Sequence, residues 1–272
     1  MSARFALVLC LLLCGPAGAD EKYEIPAQYR QAVDLANRLG EALYLHDAAA
    51  ARASDELVRR GIYRSDKRVR GWLTDRVGDS QSVDVMFLGD EKDLLPLYRV
   101  RVPEGDGGPQ FEVLDPAMPL EAERRARWKA RAVAIDKLNE RKDLCSEQYN
   151  IVVLPADLLG DKLVRVYMLA ATTEPDLMVA GGHFLYTFSA NGSLKSQRNF
   201  TKACFNVPLT GEKEKGELAA VTLTHLLDPT PTELHVFLNR NYGKAIYLGT
   251  TDNSLMWIID HGWILAARKI DR

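Results

Sequence analysis

Residues 218–268 read LAAVTLTHLLDPTPTELHVFLNRNYGKAIYLGTTDNSLMWIIDHGWILAAR, and the fold turns on how this stretch is read. Short apolar runs at Leu218–Leu227, Leu234–Asn239, Lys244–Thr250, Leu255–Ile259 and Trp263–Arg268 are separated by turn chemistry at 228–232 (DPTPT), 251–254 (TDNS) and His261-Gly262. Upstream, Ile151–Leu154, Leu163–Thr172, Gly182–Phe188 and Leu194–Thr201 have the same character, with Ala190-Asn191-Gly192-Ser193 as a further turn. Many short strands with frequent turn signals predict an antiparallel β-rich sheet or open barrel over 145–272.

The pattern changes N-terminal to this region. Residues 119–144 are rich in Ala, Arg, Glu and Lys and hold no Gly and one Pro, at their start. They predict a linker helix with an apolar stripe on Ala122, Ala126, Ala130, Val133 and Ile135 to Leu138 and a solvated cationic face. In 20–118, Tyr29, Val33, Ala36, Leu39 and Leu43 recur at helical spacing, and Asp47 reads as the cap of a second helix ending at Gly61. Alternation at Val83, Val85, Phe87 and again at Tyr98, Val100, Val102 adds strands, with another at Phe111–Leu114. The expected class is α+β: an N-terminal helical hairpin with a small antiparallel sheet, a linker helix, and an antiparallel β-rich C-terminal half.

Residues 1–19 read as a cleaved signal peptide. Arg4 supplies the positive start, Phe5 to Cys14 an apolar run too short to span a bilayer, and Ala17-Gly18-Ala19 a small-residue cleavage site. Lipidation at Cys14 is disfavoured by the bulky Leu13 before it. The expected location is the periplasm, without a transmembrane segment. Removing residues 1–19 takes away one positive charge, Arg4, and moves the formal net charge from −2 to −3. A general nucleic-acid binder would be strongly basic, so that class is excluded. Cys145 and Cys204 are the two cysteines left in the mature chain, and in an oxidising compartment they read as one disulfide.

Three groups of residues could carry chemistry. If 228–232 is a hairpin loop, His225 faces His235 across two strands, on the same sheet face as Glu233. With His183, which follows Gly181-Gly182, these residues could bind zinc or perform acid–base hydrolysis. The plainer reading, polar neighbours in a sheet, is favoured, because the spacing matches no established metal motif. The basic stretch 59–76 interleaves Arg64, Arg68 and Arg70 with Tyr63 and Trp72, an arrangement that could hold a phosphate or an anionic membrane surface. It also contains Asp66 and Asp75 and follows a helix end, which favours a solvated connector. Finally, Tyr242, Tyr247, Trp257 and Trp263 could form an aromatic sheet face for a sugar or protein, or simply pack in the core. The chain has no GxGxxG, GxxxxGK[ST] or GxSxG, so no cofactor is expected.

The segments CSEQYNIVVLPA, LAATTEPDLMVAGGHF, FTKAC, THLLDPTPTELHVFL and YGKAIYLGTTDNSLMWII resemble a group of exported Gram-negative bacterial proteins of unknown function. The resemblance implies a cell-envelope location and carries no activity, cofactor or catalytic residue. The reading that follows is a non-catalytic periplasmic binding or interaction protein, with a protein of the envelope as the expected partner. The alternative is a periplasmic hydrolase built on His183, His225, His235 and Glu233.

Overall fold

The structure, a computed structural model, describes residues 23–89, 94–210 and 218–270. The expected signal peptide lies outside the described residues, as does most of the turn at 89–93. In chain order the elements are a 3-10 turn (Ala27–Tyr29), α1 (Arg30–Arg59), α2 (Ile62–Ser65), β1 (Gly71–Arg76), β2 (Val83–Leu88), β3 (Pro96–Val102) and β4 (Gln110–Val113). There follow α3 (Ala122–Asn139), β5 (Gln148–Leu154), β6 (Leu163–Ala171), β7 (Leu177–Val179), β8 (Phe184–Ser189), β9 (Leu194–Asn199) and β10 (Asn206–Pro208). The chain closes with β11 (Ala220–His225), α4 (Glu233–Tyr242), β12 (Ala245–Thr250), β13 (Leu255–Asp260) and β14 (Trp263–Lys269). The class is α+β, with three four-stranded open sheets and a short β10-β7 pair among the described residues.

The first correction concerns the helical hairpin, which is one continuous helix of 30 residues. Asp47 sits in its interior. No Gly or Pro interrupts residues 41–60, and the alanine-rich run 48–53 favours continuing over stopping. The stop is at Gly61, whose φ of +71° takes the left-handed conformation open to glycine. The first half of α1 packs its Val33, Ala36, Leu39 and Leu43 among α4 and the later sheets, while Ala49, Ala53 and Leu57 cover the β1–β4 sheet. Gly40 makes the contact with α4 possible, since a Cβ there would overlap Val236.

The central sheet has the order β5-β6-β8-β9 and is antiparallel throughout. Alternation along its strands sends Val152, Leu154, Tyr167 and Leu169 toward α1 and α4, and Val153, Val164, Val166 and Phe188 toward α3. The helix expected to be a solvated linker is therefore a core element. Its buried stripe is Arg127, Trp128, Ala130, Arg131, Ala134 and Leu138, a rotation away from the stripe read by hydropathy, because two arginines lie on it. The same apolar cluster takes in Leu73 of β1 and Leu88 of β2.

The second correction falls on residues 233–239. They form α4, and β11 and β12 run parallel on either side of this crossover, so His225 pairs with Thr250 rather than with His235. Thr232 precedes the helix, Glu233 opens it and Gly243 ends it at φ +62°. These start and stop signals outweigh the β-forming Val236 and Phe237. The disulfide joins Cys145 to Cys204 with Cα atoms 5.2 Å apart, as expected. Gly181 and Gly182 serve it. An added Cβ at Gly182 would overlap Cys145, and one at Gly181 would press on the backbone of Ala203 and Phe205.

Candidate functional site

The crossover brings together the two histidines that a hairpin was expected to join. The rings of His225 and His235 lie edge to face with centroids 4.8 Å apart. His225 Nε2 donates to Asp228 at 2.7 Å, and Arg198 donates to the same carboxylate oxygen at 2.7 Å. His235 is the third residue of α4. Its Nδ1 accepts the Thr232 N–H at 2.9 Å, taking the part a Glu usually plays in a capping box. Burial, with His225 adding to it, lowers the His235 pKa to about 3, so the ring is neutral. The carboxylate of Glu233 accepts the Tyr167 hydroxyl at 3.0 Å.

His183 is engaged elsewhere. Its Nδ1 accepts the Ala170 N–H at 3.1 Å and its Nε2 donates to the Val179 carbonyl at 3.0 Å. With both ring nitrogens held by backbone, it has no lone pair for a metal. Among the described residues no group of three or more His, Cys, Asp or Glu is placed to hold a metal ion. The basic stretch is likewise occupied in part. Arg68 grips Asp66 at 2.7 Å and Asp66 also accepts the Tyr98 hydroxyl at 2.7 Å, so Arg68 stays tied while Arg64 and Arg70 are exposed. Trp72 packs half-buried against Phe87. Of the aromatic group, Trp257 is in the core, while Tyr247 and Trp263 are 40% exposed.

A wider hollow draws on the end of the basic stretch, Asp75 and Arg76, and on none of the other residues just described. A cleft of about 520 Å³ opens between α1, the end of β1, α3 and the β5–β6 loop, with Arg38, Glu41, His46, Arg76, Arg124 and Asp157 on its walls. A second hollow of about 440 Å³ shares Asp75, Arg124, Pro155 and Asp157 with it, so the two form one charged groove. Three arginines of α3 face the edge strand β1. Arg124 donates to Asp75 at 2.8 Å. Arg127, only 1% exposed, donates to Asp75, to Glu123 at 3.0 Å and to the Thr74 carbonyl at 3.0 Å. Arg131 lies against Gly71, with its guanidinium 5.0 Å from the Trp128 ring and 6.0 Å from that of Trp72. Burial lowers its pKa to about 10, and it stays charged.

Burial opposes ionisation of Asp75, but Arg127 and Arg124 outweigh it and hold the carboxyl below the usual range. At the cleft wall His46 is buried, with Nδ1 2.7 Å from the Thr74 hydroxyl. Burial, reinforced by Arg127, lowers its pKa to about 4. The cleft thus presents fixed charges of both signs on a neutral, hydrogen-bonded floor. Sequence reading passes over it because its residues come from four separate segments. The one local signal is the spacing of Arg124, Arg127 and Arg131, which aligns three guanidinium groups on one helix face.

The chain matches no known family model and no curated protein. Among solved structures, the Bacillus megaterium YpeB C-terminal domain aligns with 80% of this chain and 96% of its own length, at 11% identity and a TM-score of 0.19. So loose a superposition carries no argument about fold or function. Among the described residues no helix is long and apolar enough to cross a membrane.

Proposed function

We propose that this chain is a non-catalytic binding protein of the bacterial cell envelope, exported by cleavage after Ala19, and that its ligand is a small polar molecule bearing charges of both signs. The observation that supports this is the cleft itself. Arg38 and Glu41 of α1, Arg76 at the end of β1 and Asp157 of the β5–β6 loop line a space of about 520 Å³, within the usual size range for small-ligand sites. Arg38 spends only one long hydrogen bond, 3.4 Å to the Leu158 carbonyl, so its guanidinium keeps donors for a carboxylate or phosphate. His46, the wall group best suited to proton transfer, is bonded to Thr74 and neutral above about pH 4. A binding role suits such a floor better than acid–base work.

The test is thermal unfolding of the mature protein against a panel of amino acids, dipeptides, carboxylates and phosphate esters. A ligand present at a hundred times its Kd should raise Tm by about 5–10 °C. That shift should vanish in Arg38→Ala and Asp157→Ala. A panel without any hit that responds to these substitutions would count against the cleft as the site.

A protein partner is a second reading, favoured by the outer face of the β11-β12-β13-β14 sheet. Tyr247 and Ile270 are each 40% exposed there, beside a shallow groove of about 270 Å³ that includes Met256. In-cell crosslinking from position 247 would distinguish the two. A specific adduct there, with no ligand for the cleft, would favour the partner.

A further inference from the structure

A smaller cavity, sharing no residue with the charged groove, lies where α1, α4 and the central sheet meet. It measures about 230 Å³, and its polar lining is Asp47, Asn150, Thr172, Asn241 and Tyr242. His183 forms part of the wall, but its two ring nitrogens are bonded to backbone and it is neutral above about pH 4, because burial lowers its pKa. Ala48, Phe237 and Leu238 supply apolar surface.

The charge in this cavity is one-sided. Neither lysine nor arginine is among its lining residues, and the side-chain bond to the Asp47 carboxylate is a long one, 3.5 Å from the Asn150 amide. Burial raises the Asp47 pKa to about 6, with Asn150 pulling the other way, which leaves the group mostly ionised at neutral pH. A partly enclosed carboxylate without a cation beside it asks for one. The other polar groups are the amides of Asn150 and Asn241, whose oxygens can accept a hydrogen bond, and the phenol of Tyr242, which already accepts the Val179 N–H at 3.4 Å. A single carboxylate with neutral oxygen acceptors and an apolar wall suits an ammonium group on a short hydrocarbon better than a divalent ion, which would need more anionic ligands.

We propose that this cavity is a binding site for a small primary amine, whose ammonium is held by Asp47 and whose short apolar chain lies against Ala48 and Phe237. His46 and Asp47, adjacent on α1, thereby face two different hollows.

The experiment uses the full mature chain and butylammonium chloride, with tetramethylammonium chloride and sodium chloride at equal ionic strength as controls. Titration calorimetry and thermal unfolding should show saturable binding of butylammonium over both controls. Asp47→Asn, which keeps shape and the Asn150 contact, should weaken that binding about 10- to 100-fold. If Asp47→Asn does not fold, Ala51→Phe keeps the carboxylate and fills the opening with an aromatic ring, and it should abolish binding. No response beyond the salt controls overturns the proposal and leaves a hydrated cavity. Unchanged binding in a folded Asp47→Asn overturns it as well, and so does equal stabilisation by tetramethylammonium, which cannot donate a hydrogen bond.

Discussion

Arg127 shows how much one side chain can hold in this protein. Its guanidinium sits 1% exposed between α3 and β1, donating to Asp75, Glu123 and the Thr74 carbonyl. Removing one partner of such a group leaves the other carrying an uncompensated charge, at a typical cost of 3–5 kcal/mol for a fully buried pair. Asp75 is 20% exposed and keeps Arg124, so the loss should fall near the low end. Arg127→Met should therefore destabilise the chain by about 3 kcal/mol in urea unfolding. A change within the scatter of surface substitutions would mean that Arg124 alone satisfies Asp75. His235 makes the opposite case, because its role is local. His235→Gln keeps an acceptor for the Thr232 N–H and should cost little, whereas His235→Ala should lose the cap, worth about 0.5–2 kcal/mol, as well as the buried ring. If the Gln variant is as unstable as the Ala variant, the ring's packing on His225 outweighs the cap.

At the scale of elements, the disulfide and the glycines beside it act together. The bond closes a separation of 59 residues between the segment leading into β5 and the connection from β9 to β10. Cys145→Ser with Cys204→Ser should cost about 2–5 kcal/mol. Gly182→Ala should be harmful with the cysteines present, since φ is +79° and the new Cβ meets Cys145. In the double serine background the contact with a smaller, unlinked side chain can relax, and Gly182→Ala should cost less. Equal cost in both backgrounds, measured as a double-mutant cycle, would assign the glycine to its dihedral alone. The disulfide was legible in the sequence because only two cysteines follow residue 19. Strands β2 and β3 were legible through their strict alternation, and most C-terminal strands through short apolar runs between turns, whereas β1, β7 and β10 were not read and residues 234–239 were misread. That segment misled because Val236 and Phe237 look strand-like while Thr232 and Gly243, its cap and stop, look like turn residues. The cross-strand pairing of His225 with His235 is absent, yet their rings still meet, since a helix start and a strand end can come as close as two strands of a hairpin. α3 misled for a different reason: hydropathy counts Arg127 and Arg131 as surface residues, and only the partners Asp75 and Trp72, some fifty residues away, bring them inside. The charged cleft was illegible for the same cause, being a product of tertiary packing between α1, β1, α3 and one loop.

Taken as a whole, the molecule holds three of its four buried histidines, His46, His183 and His235, in the neutral form, and this sets how it responds to acid. His46 and His183 are lowered from 6.5 to about 4 and His235 to about 3, in each case chiefly by burial. Between pH 6.5 and 4 the unfolded chain binds protons at these positions and the folded chain does not, so acidification favours unfolding. By pH 5 each histidine accounts for about 2 kcal/mol at most. Asp47 works the other way. Its folded pKa is raised from 3.8 to about 6, so the folded chain takes up a proton first and gains stability as pH falls through that window, by about 1 kcal/mol at pH 5. Three contributions against one leave a net loss of several kcal/mol between pH 7 and pH 5, well above pH 4, where the lowered carboxylates such as Asp75 begin to matter. Urea unfolding at pH 7, 6 and 5 should show this decline. His183→Gln should flatten it by about two fifths, and Asp47→Asn should steepen it. A stability that is flat or rising from pH 7 to pH 5 would mean that the histidines reach water more freely than their backbone and side-chain bonds imply.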